Sequence, residues 1–499
     1  MRSTAVQEWI DQAIAPEEID RYLEGGRDFI DQERIERELE EARNPDPKKI
    51  RDILAKSREI ETLDTRETAA LLNVKDPELW EEMGHTAGEI KKKVYDNRIV
   101  TFAPLYCSNL CVNDCTYCGF REGNPEEVRR ILSMEEIARE TEVLTSLGHK
   151  RLIVVYGEHP LSDASYMARS IETIYSVQTR GRKGVGQIRR VNVNAAPLKI
   201  QDFKPLLDVG IGTFQVFQET YHRERYAALH PGTVKGNYRW RLYAMHRAME
   251  AGVDDVGIGA LFGLYSWPFE VMGLVSHARE LEHRFDGVGP HTISFPRLNP
   301  SGGNDLAAST PYRVFEEDLK KIIIALRLSV PYTGMILTAR EPGDLRRRLL
   351  PYGITQTDAS TCIGIGGYAG ASPDQKKEEQ QFLLGDTRSL DEVIREFAEM
   401  GLITSFCTAG YRCGRTGDKI MGLLKSGREG KFCKLNAVLT FREWLDDYAS
   451  EETRRAGEAV IRREMEEIAG DPEIGKMNLQ GEFGAFYERV SRGERDLYI

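Results

Sequence analysis

The sequence predicts an α/β fold, a closed (β/α)8 barrel of the TIM type with helical extensions at both ends. Short apolar runs alternate with longer amphipathic stretches, and eight such runs follow one another between residues 99 and 357. Alternation of strand and helix is typical of parallel βα units, and eight units are the number that closes a barrel. An open, doubly wound sheet is the structural alternative, because periodicity alone cannot show that the ring closes.

The predicted elements follow in a simple order along the chain. Apolar positions recur at helical spacing around 29–39 and 50–63, between Glu, Arg and Lys, as in helices that pack on one face. The predicted strands are 99–106, 152–156, 191–195, 213–217, 256–262, 292–295, 335–337 and 354–357. A Gly-rich stretch (363–370), a polar segment (372–381) and helices at 389–400 and 451–468 come after them. We therefore divide the chain into an N-terminal helical region (1–98), a barrel (99–370) and a C-terminal region (371–499).

The composition excludes several classes of protein. Of the 499 residues, 41% are hydrophobic and 29% are charged, which disfavours intrinsic disorder. The net charge of −11 disfavours binding to nucleic acid, which requires a basic surface. No apolar run approaches the roughly 18 residues of a membrane span, and residues 1–20 have the acidic residues but not the apolar core of a secretory signal. We expect a cytoplasmic protein that binds neither nucleic acid nor a membrane.

Clustered cysteines are the most informative part of the composition. Cys111, Cys115 and Cys118 are spaced Cx3Cx2C directly after the first predicted strand, at the end of a barrel where active sites form. Three thiolates on one short loop can hold three irons of a four-iron cluster and leave the fourth iron open to a ligand. Structural zinc is the alternative, since Cys107 offers a fourth thiolate, and a simple buried cysteine cluster is a third interpretation.

The Cx3Cx2C motif, with Tyr117 before its third cysteine, resembles that of the radical S-adenosylmethionine (SAM) enzymes. Further segments are similar to the aromatic amino-acid lyases of the ThiH/HydG family: Gly157-Glu158, 210–222, 254–265 and 289–297. The similarity to the HydG branch, the tyrosine lyases that mature [FeFe]-hydrogenase, runs nearly end to end and includes 493–498. The resemblance therefore implies a radical SAM barrel and a carbon–carbon lyase.

The resemblance also implies the cofactors. Cys111, Cys115 and Cys118 would hold a [4Fe-4S] cluster whose open iron binds the amino and carboxylate groups of SAM. Glu158 would accept a hydrogen bond from the SAM amino group, and Asn194 would contact the ribose. The SAM-binding residues so implied are Tyr117, Gly157, Glu158 and Asn194. An electron from a reductant such as a ferredoxin or flavodoxin would start the reaction, and other hydrogenase maturases are expected partners.

The implied substrate is L-tyrosine, cleaved between Cα and Cβ to p-cresol and dehydroglycine. Arg340, after the seventh predicted strand, is the first choice for the cation that binds the substrate carboxylate, and Arg297 is the second. For each arginine a structural ion pair is the alternative. Glu219 and Tyr221 follow the fourth predicted strand, so we expect both to face the barrel mouth and to position substrate or move protons.

A second set of cysteines departs from the family pattern. HydG-like sequences carry Cx2Cx22C, which binds an auxiliary cluster where dehydroglycine becomes CO and cyanide. Here Cys407 and Cys433 match the outer positions, Gly410 stands at the middle one, and Cys413 follows three residues later. In the interpretation we favour, Cys413 replaces the missing ligand; otherwise the cluster is lost or altered, and zinc is a third option. His277 would hold an extra iron there, unless it is structural.

Two other functions compete with a HydG-like lyase. One is a ThiH-like 2-iminoacetate synthase of thiazole biosynthesis, which lacks the C-terminal cysteines and stops at dehydroglycine. The other is a non-catalytic scaffold in which both cysteine sets merely hold metal. The C-terminal cysteines and the closing segment 493–498 favour the HydG-like lyase.

Overall fold

A computed structural model describes residues 4–301, 306–370, 381–415, 417–426 and 428–499. Its centre is a barrel of eight parallel strands in the order β1, β2, β5, β6, β7, β8, β9, β10. These strands are β1 (Arg98–Ser108), β2 (Arg151–Tyr156), β5 (Arg190–Asn194), β6 (Phe214–Gln215), β7 (Val256–Gly259), β8 (Thr292–Ser294), β9 (Gly334–Ile336) and β10 (Gln356–Asp358). Each of the eight predicted strands overlaps one of them, so the predicted barrel is confirmed.

Pairing between the last and first strands closes the ring. Val100 of β1 is in register with Gln356 of β10, and the pairing continues to Phe102 and Asp358. The alternative of an open, doubly wound sheet is therefore wrong. An unpredicted ninth strand, β11 (Ile403–Ser405), pairs in parallel with the start of β1, which places the C-terminal region at the amino end of the barrel. A small hairpin outside the barrel consists of β3 (Gln178–Arg180) and β4 (Val185–Gln187).

Six helices precede the barrel in the described residues. They are α1 (Thr4–Gln12), α2 (Glu17–Asp20), α3 (Gln32–Glu41), α4 (Pro47–Arg58), α5 (Thr65–Leu72) and α6 (Pro77–Tyr95). Local sequence fixes where they begin: Asp46 and Asp76 accept hydrogen bonds from backbone N–H groups of the first turn, and a proline follows each of them. Buried apolar side chains of this region join the main core, so the N-terminal helices pack on the barrel.

Helices also connect the strands and follow the barrel. Those between strands are α7 (Met134–Ser146), α8 (Ala164–Ser176), α9 (Lys204–Val209), α10 (Arg223–Leu229), α11 (Tyr238–Leu242), α12 (Ala244–Glu250), α13 (Trp267–Arg284), α14 (Leu306–Ser309), α15 (Glu316–Ser329) and α16 (Gly343–Leu349). The C-terminal ones are α17 (Leu390–Glu399), α18 (Ala409–Arg412), α19 (Gly417–Lys425), α20 (Glu429–Asp447), α21 (Glu451–Gly470), α22 (Pro472–Lys476) and α23 (Gln480–Ser491). Short 3₁₀ helices are Pro160–Ser162, Ile200–Phe203, Val234–Gly236 and Leu350–Tyr352.

Two further predictions concern membrane-spanning helices and the polar segment after the barrel. None of the helices in the described residues is both long enough and apolar enough to span a bilayer. The predicted polar segment 372–381 lies outside the described residues except for Gln381.

Candidate active site

A cavity lies at the carboxyl ends of the barrel strands, where the sequence predicts the active site. Residues that end or directly follow successive strands form its wall, and the empty space there, including the part open to solvent, is about 1560 Å³. The predicted site residues that line it are Cys111, Cys115, Tyr117, Cys118, Gly157, Glu158, Asn194, Glu219 and Arg340. The fold therefore brings the Cx3Cx2C thiols and most of the predicted SAM and substrate residues to one place.

The three thiols lie on the loop after β1 and have polar neighbours. The amide of Asn113 donates to the sulfur of Cys111 over 3.7 Å, and the amide of Gln381 donates to that of Cys118 over 3.6 Å. Burial raises the pKa of Cys118, and the ammonium group of Lys235 acts in the opposite direction. Amide donors and a cation stabilise negative charge on sulfur, which metal-bound thiolates require.

The arrangement of the cysteines fits a cluster better than a zinc ion. In the ranges that the structure describes, no three His, Cys, Asp or Glu side chains converge on the position of a single metal ion. Thiolates that each bind a different iron of a [4Fe-4S] cluster need not converge. Cys107, which the zinc alternative requires, is buried in the core with its sulfur 3.8 Å from the carbonyl oxygen of Leu105 and beside Tyr156, and it does not line the cavity.

The Gly-Glu pair after β2 is locked against the cysteine loop. A Cβ on Gly157 would lie 2.1 Å from the carbonyl oxygen of Leu110, so only glycine allows this approach. The backbone N–H of Val112 donates to the carbonyl oxygen of Glu158 over 2.9 Å. The Glu158 carboxylate accepts from the amide of Asn113 over 2.6 Å, and burial raises the pKa of this carboxyl group. Two backbone segments that the resemblance assigns to one cofactor are therefore held together.

Tyr117 and Asn194 occupy other parts of the same wall. The Tyr117 hydroxyl is 2.7 Å from Nε2 of His230, and the Lys235 ammonium lies 5.5 Å from the Tyr117 ring centroid. Asn194 is the last residue of β5 and is in register with Gln215 of β6. Both side chains border the cavity, and their contacts with SAM stay predictions.

Glu219 is held in the cavity wall by two cations. Its carboxylate accepts from Lys235 over 2.8 Å and from Arg241 over 3.2 Å. Burial alone would raise the pKa of Glu219, but Lys235 and Arg241 lower it to about 2. Its backbone has a φ of 70°, a left-handed conformation that is unusual for a non-glycine residue and marks a constrained position. Glu219 is therefore a fixed anion at the barrel mouth.

The two arginines proposed for the substrate carboxylate have different environments. Arg340 lines the cavity with its guanidinium 3.2 Å from the ring centroid of Phe382, and no carboxylate of a described residue forms an ion pair with it. Arg297 is paired with Glu341, donates to the carbonyl oxygen of Val314 over 3.1 Å and does not line the cavity. Arg340 thus has the geometry of a substrate-binding cation, and Arg297 that of the structural ion pair.

Two predicted site residues lie elsewhere. The side chain of Tyr221 is fully buried, with its hydroxyl 2.9 Å from Nδ1 of His277, so the prediction that it faces the barrel mouth is wrong. His277 lies on α13, where it contacts Phe29 and His246, and it is not among the groups that influence the C-terminal cysteines. Its expected role as an iron ligand there is contradicted by this position. Glu219 and Tyr221 are two residues apart and would share a face in a regular strand, but the positive φ of Glu219 breaks the extended backbone after β6, so the two side chains separate.

The C-terminal cysteines lie at the opposite, amino end of the barrel. Cys407 follows β11, and its sulfur is 3.7 Å from Nη1 of Arg98, the first residue of β1. The thiol of Cys433 hydrogen-bonds Cys407, and this bond and the charge of Arg98 lower the pKa of Cys407. Cys413, the expected replacement ligand, is half-buried and forms no such bond with either thiol. The structure therefore brings Cys407 and Cys433 together, and the role expected of Cys413 stays a prediction.

Sequence reasoning missed several residues of the cavity. Lys235 and Arg241 come from the short helices after β6, and Gln381 comes from the far end of the polar segment. Sequence position did not distinguish the first two, because Arg223 and Arg225 lie nearer to the fourth predicted strand than Lys235 and Arg241 do. No local pattern could have predicted Gln381, because its contact with Cys118 joins parts of the chain that are far apart in sequence.

Comparison with known proteins agrees with this site. Residues 105–270 match the Radical SAM superfamily, and residues 294–403 match the Biotin and Thiamin Synthesis associated domain. The chain is 31% identical over 335 residues to the 2-iminoacetate synthase of Salmonella typhimurium strain LT2, which is 67% of this chain and 84% of that protein. With a thiol-lined cavity at the mouth of a closed barrel, these matches define a radical SAM enzyme, which binds SAM and a [4Fe-4S] cluster.

Solved structures narrow the family further. A crystal structure of HydG, a maturase of the [FeFe]-hydrogenase, matches with 44% identity and a TM-score of 0.88, over 95% of this chain and 100% of that one. HydG from Carboxydothermus hydrogenoformans matches with 35% identity and a TM-score of 0.76, over 95% and 99%. The chain belongs to the HydG/ThiH family of radical SAM enzymes.

Proposed function

We propose that this enzyme is a HydG-type tyrosine lyase, which cleaves the Cα–Cβ bond of L-tyrosine and converts the dehydroglycine product to CO and cyanide. The observation that carries the proposal is the pair of sites at the two ends of one barrel. The thiol-lined cavity supports a lyase, and the paired thiols of Cys407 and Cys433 support a second metal centre. Similarity to HydG over 95% of this chain and 100% of that one further supports the proposal.

The cavity residues suit binding of SAM and tyrosine together. When bound, the [4Fe-4S] cluster and SAM supply the hydrogen-abstracting 5′-deoxyadenosyl radical. We expect Glu158 to accept a hydrogen bond from the SAM ammonium group; in support, the Asn113 amide donates to both the Cys111 sulfur and the Glu158 carboxylate. Arg340 can offer two parallel N–H groups to the tyrosine carboxylate. A cavity inside the barrel would shield reactive fragments from much of the solvent.

Proton and electron balance constrains the lyase step. Loss of one hydrogen atom from the tyrosine amino group and cleavage of Cα–Cβ gives dehydroglycine and a 4-hydroxybenzyl fragment. That fragment becomes p-cresol by taking up one electron and one proton. The electron comes from the external reductant, such as a ferredoxin or flavodoxin. Glu219 is ionised beside Lys235 and Arg241, so it acts in this scheme as a fixed charge that orients its neighbours.

The second half of the proposal concerns the C-terminal site. Two thiols and the buried cation Arg98 offer a setting for an auxiliary iron–sulfur cluster at the amino end of the barrel. Dehydroglycine made in the cavity would be converted there to CO and cyanide for [FeFe]-hydrogenase assembly. The other maturases are the expected receivers of these products.

One experiment tests the proposal against its rivals. The protein is purified without oxygen, reconstituted with iron and sulfide, and incubated with SAM, dithionite and tyrosine. We expect 5′-deoxyadenosine, p-cresol, CO trapped by deoxyhaemoglobin, and cyanide. Absence of both 5′-deoxyadenosine and p-cresol would favour the non-catalytic scaffold. Formation of p-cresol without CO or cyanide would favour a 2-iminoacetate synthase, the activity named for the Salmonella relative.

A further inference from the structure

We propose that Glu429 supplies the third protein ligand of the C-terminal metal site, together with Cys407 and Cys433. This inference rests on the auxiliary cluster of the proposed function and identifies a ligand set of two thiolates and one carboxylate. It differs from the expectation that Cys413 replaces the cysteine missing at Gly410.

Glu429 is placed directly beside the two thiols. It lies one helical turn before Cys433 at the start of α20, so both side chains share one face of the helix. The sulfur of Cys433 is 3.1 Å from Oε1 of Glu429, and the carboxylate is buried, with only 2% of the residue exposed. A buried carboxylate at this distance from one predicted ligand can reach the same metal cluster.

Gly410 relates this carboxylate to the missing cysteine. A Cβ built on Gly410 would lie 3.9 Å from Oε1 of Glu429 and 3.8 Å from the carbonyl oxygen of Arg415, with nothing closer. The side chain that the family pattern places at 410 would therefore point toward the space that the Glu429 carboxylate occupies. The loss of one ligand at 410 is matched by another donor at the same position in space.

Cys413 is poorly placed for the same role. It is half-buried in the turn after α18, where its backbone N–H donates to the carbonyl oxygen of Ala409. Among the described residues no hydrogen bond joins Cys413 to Cys407 or Cys433, whereas the Cys433 thiol contacts Glu429 over 3.1 Å. The described contacts therefore connect Glu429, and not Cys413, to the pair of thiols.

The surrounding charges fit an anionic donor set that binds metal. Arg98 is buried, with 4% exposed, and its Nη1 is 3.7 Å from the Cys407 sulfur; no carboxylate of a described residue forms an ion pair with it. Arg415 lies 3.8 Å from the Glu429 carboxylate. Arg151 also acts on Cys407, so three cations surround two thiols and a carboxylate, and the site is suited to an anionic donor set.

Mixed thiolate and carboxylate ligands suit iron. Thiolates favour iron–sulfur clusters and zinc, and a carboxylate binds the harder ferrous or ferric ion. The three donors do not converge on one ion position among the described residues, which agrees with ligands that bind separate atoms of a cluster. We therefore expect a C-terminal iron–sulfur cluster with one iron bound by Glu429.

The test isolates the C-terminal site from the first cluster. A full-length background protein carries Cys111→Ala, Cys115→Ala and Cys118→Ala, and it is reconstituted without oxygen using ferrous iron and sulfide. Iron and sulfide per chain and the Mössbauer spectrum are then measured, so the readout does not depend on turnover. We expect iron in this background, loss of most of it with Cys407→Ala or Glu429→Ala, and no loss with Cys413→Ala.

A rescue variant separates ligation from a purely structural role of Glu429. Adding Gly410→Cys to Glu429→Ala places a thiol beside the vacated carboxylate position, so we expect iron to return and its Mössbauer parameters to become those of an all-thiolate site. A structural defect at 429 would not be repaired in this way, and absence of rescue would overturn the inference.

Other outcomes distinguish the inference from the proposal beneath it. Iron that survives Glu429→Ala but is lost with Cys413→Ala would overturn the inference and leave the auxiliary cluster intact. A background protein that binds no iron and sulfide would refute both. Zinc retained in place of iron would also overturn the inference, because it would replace the cluster with a single-ion site.

Discussion

Replacing Gly157 with alanine tests whether the contact between β2 and the cysteine loop sets the geometry of the first site. A Cβ at 157 would lie 2.1 Å from the carbonyl oxygen of Leu110. To restore an ordinary contact of 3.4 Å, the loop that carries Cys111 must move by about 1.3 Å. Because the clashing atom belongs to the backbone, no side-chain rotation relieves it. The thiols and Glu158 would therefore separate by about an ångström.

The size of the effect follows from this displacement. A misplacement of about 1 Å in a catalytic arrangement can lower the rate about 10²-fold. We expect Gly157→Ala to lower the rate of SAM cleavage, measured as 5′-deoxyadenosine formed per chain, by about that factor. Overpacking of this kind costs about 1–3 kcal/mol of stability, so the variant should still fold.

A matched control removes the general effect of adding a methyl group. Gly484 lies in α23, and a Cβ built on it meets nothing within 4 Å. Gly484→Ala should therefore cleave SAM at the parental rate. A Gly157→Ala protein that binds its full complement of iron and cleaves SAM within about twofold of the parent would refute the reasoning.

Three more predictions follow from the structure. Arg340→Ala should lower kcat/KM for tyrosine about 10- to 100-fold, because a hydrogen bond to a charged group contributes about 1.5–3 kcal/mol. Arg297→Ala should mainly lower the melting temperature. Equal losses of kcat/KM in the two variants would contradict this assignment. Cys115→Ala should abolish 5′-deoxyadenosine formation, and Cys107→Ala should retain the first cluster by iron counting, unless a four-cysteine site exists. Burial raises the pKa of Glu270 to about 8, whereas the same carboxyl in the unfolded chain loses its proton above about 4.5. Between these two values the folded protein holds a proton that the unfolded chain has released. The Glu270 carboxyl therefore destabilises the fold progressively as the pH rises from about 4.5 to about 8. The melting temperature of Glu270→Gln should therefore gain on that of the parent between about pH 5 and 8, and a constant difference would count against the shift.

The barrel was predictable because its signal is repeated. Each strand has a short apolar run, each is followed by helix-length sequence, and eight repetitions restrict the fold far more than one does. The ninth strand, β11, was not predictable in this way: three residues, Ile403–Ser405, carry no periodicity, and their pairing with Arg98–Val100 depends on tertiary structure. The pairing of β10 with β1, which closes the barrel, likewise depends on tertiary structure and has no local sequence signal.

The first site was predictable where chemistry is concentrated in short segments. Cys111, Cys115 and Cys118 share one loop, and Glu158 follows the next strand, so sequence position alone placed them together. Arg297 shows the limit of that reasoning. It also follows a strand, yet Glu341 pairs with it outside the cavity, and a partner so distant in sequence cannot be read from local pattern.

The position of the C-terminal site in the barrel explains why the prediction of His277 as a ligand was wrong. Residues that follow barrel strands gather at the carboxyl end, whereas residues that begin or precede strands gather at the amino end. Cys407 lies among the latter: Arg98 begins β1, Arg151 begins β2, and His291 directly precedes β8, and all three influence the pKa of Cys407. His277 lies within α13 and belongs to neither set.

This rule also limits how the two sites can cooperate. The strand β1 joins them, since Arg98 contacts Cys407 at one end and the Cx3Cx2C loop begins just after Ser108 at the other. The ten steps between its eleven residues, at about 3.3 Å each, separate the ends by roughly 33 Å. No side chain can span that distance, so the two centres cannot share a ligand or a substrate. Under the proposed function, the two sites can act in sequence only if a small product of the first site diffuses to the second. The ligands of the second site would then determine whether that product is converted to CO and cyanide.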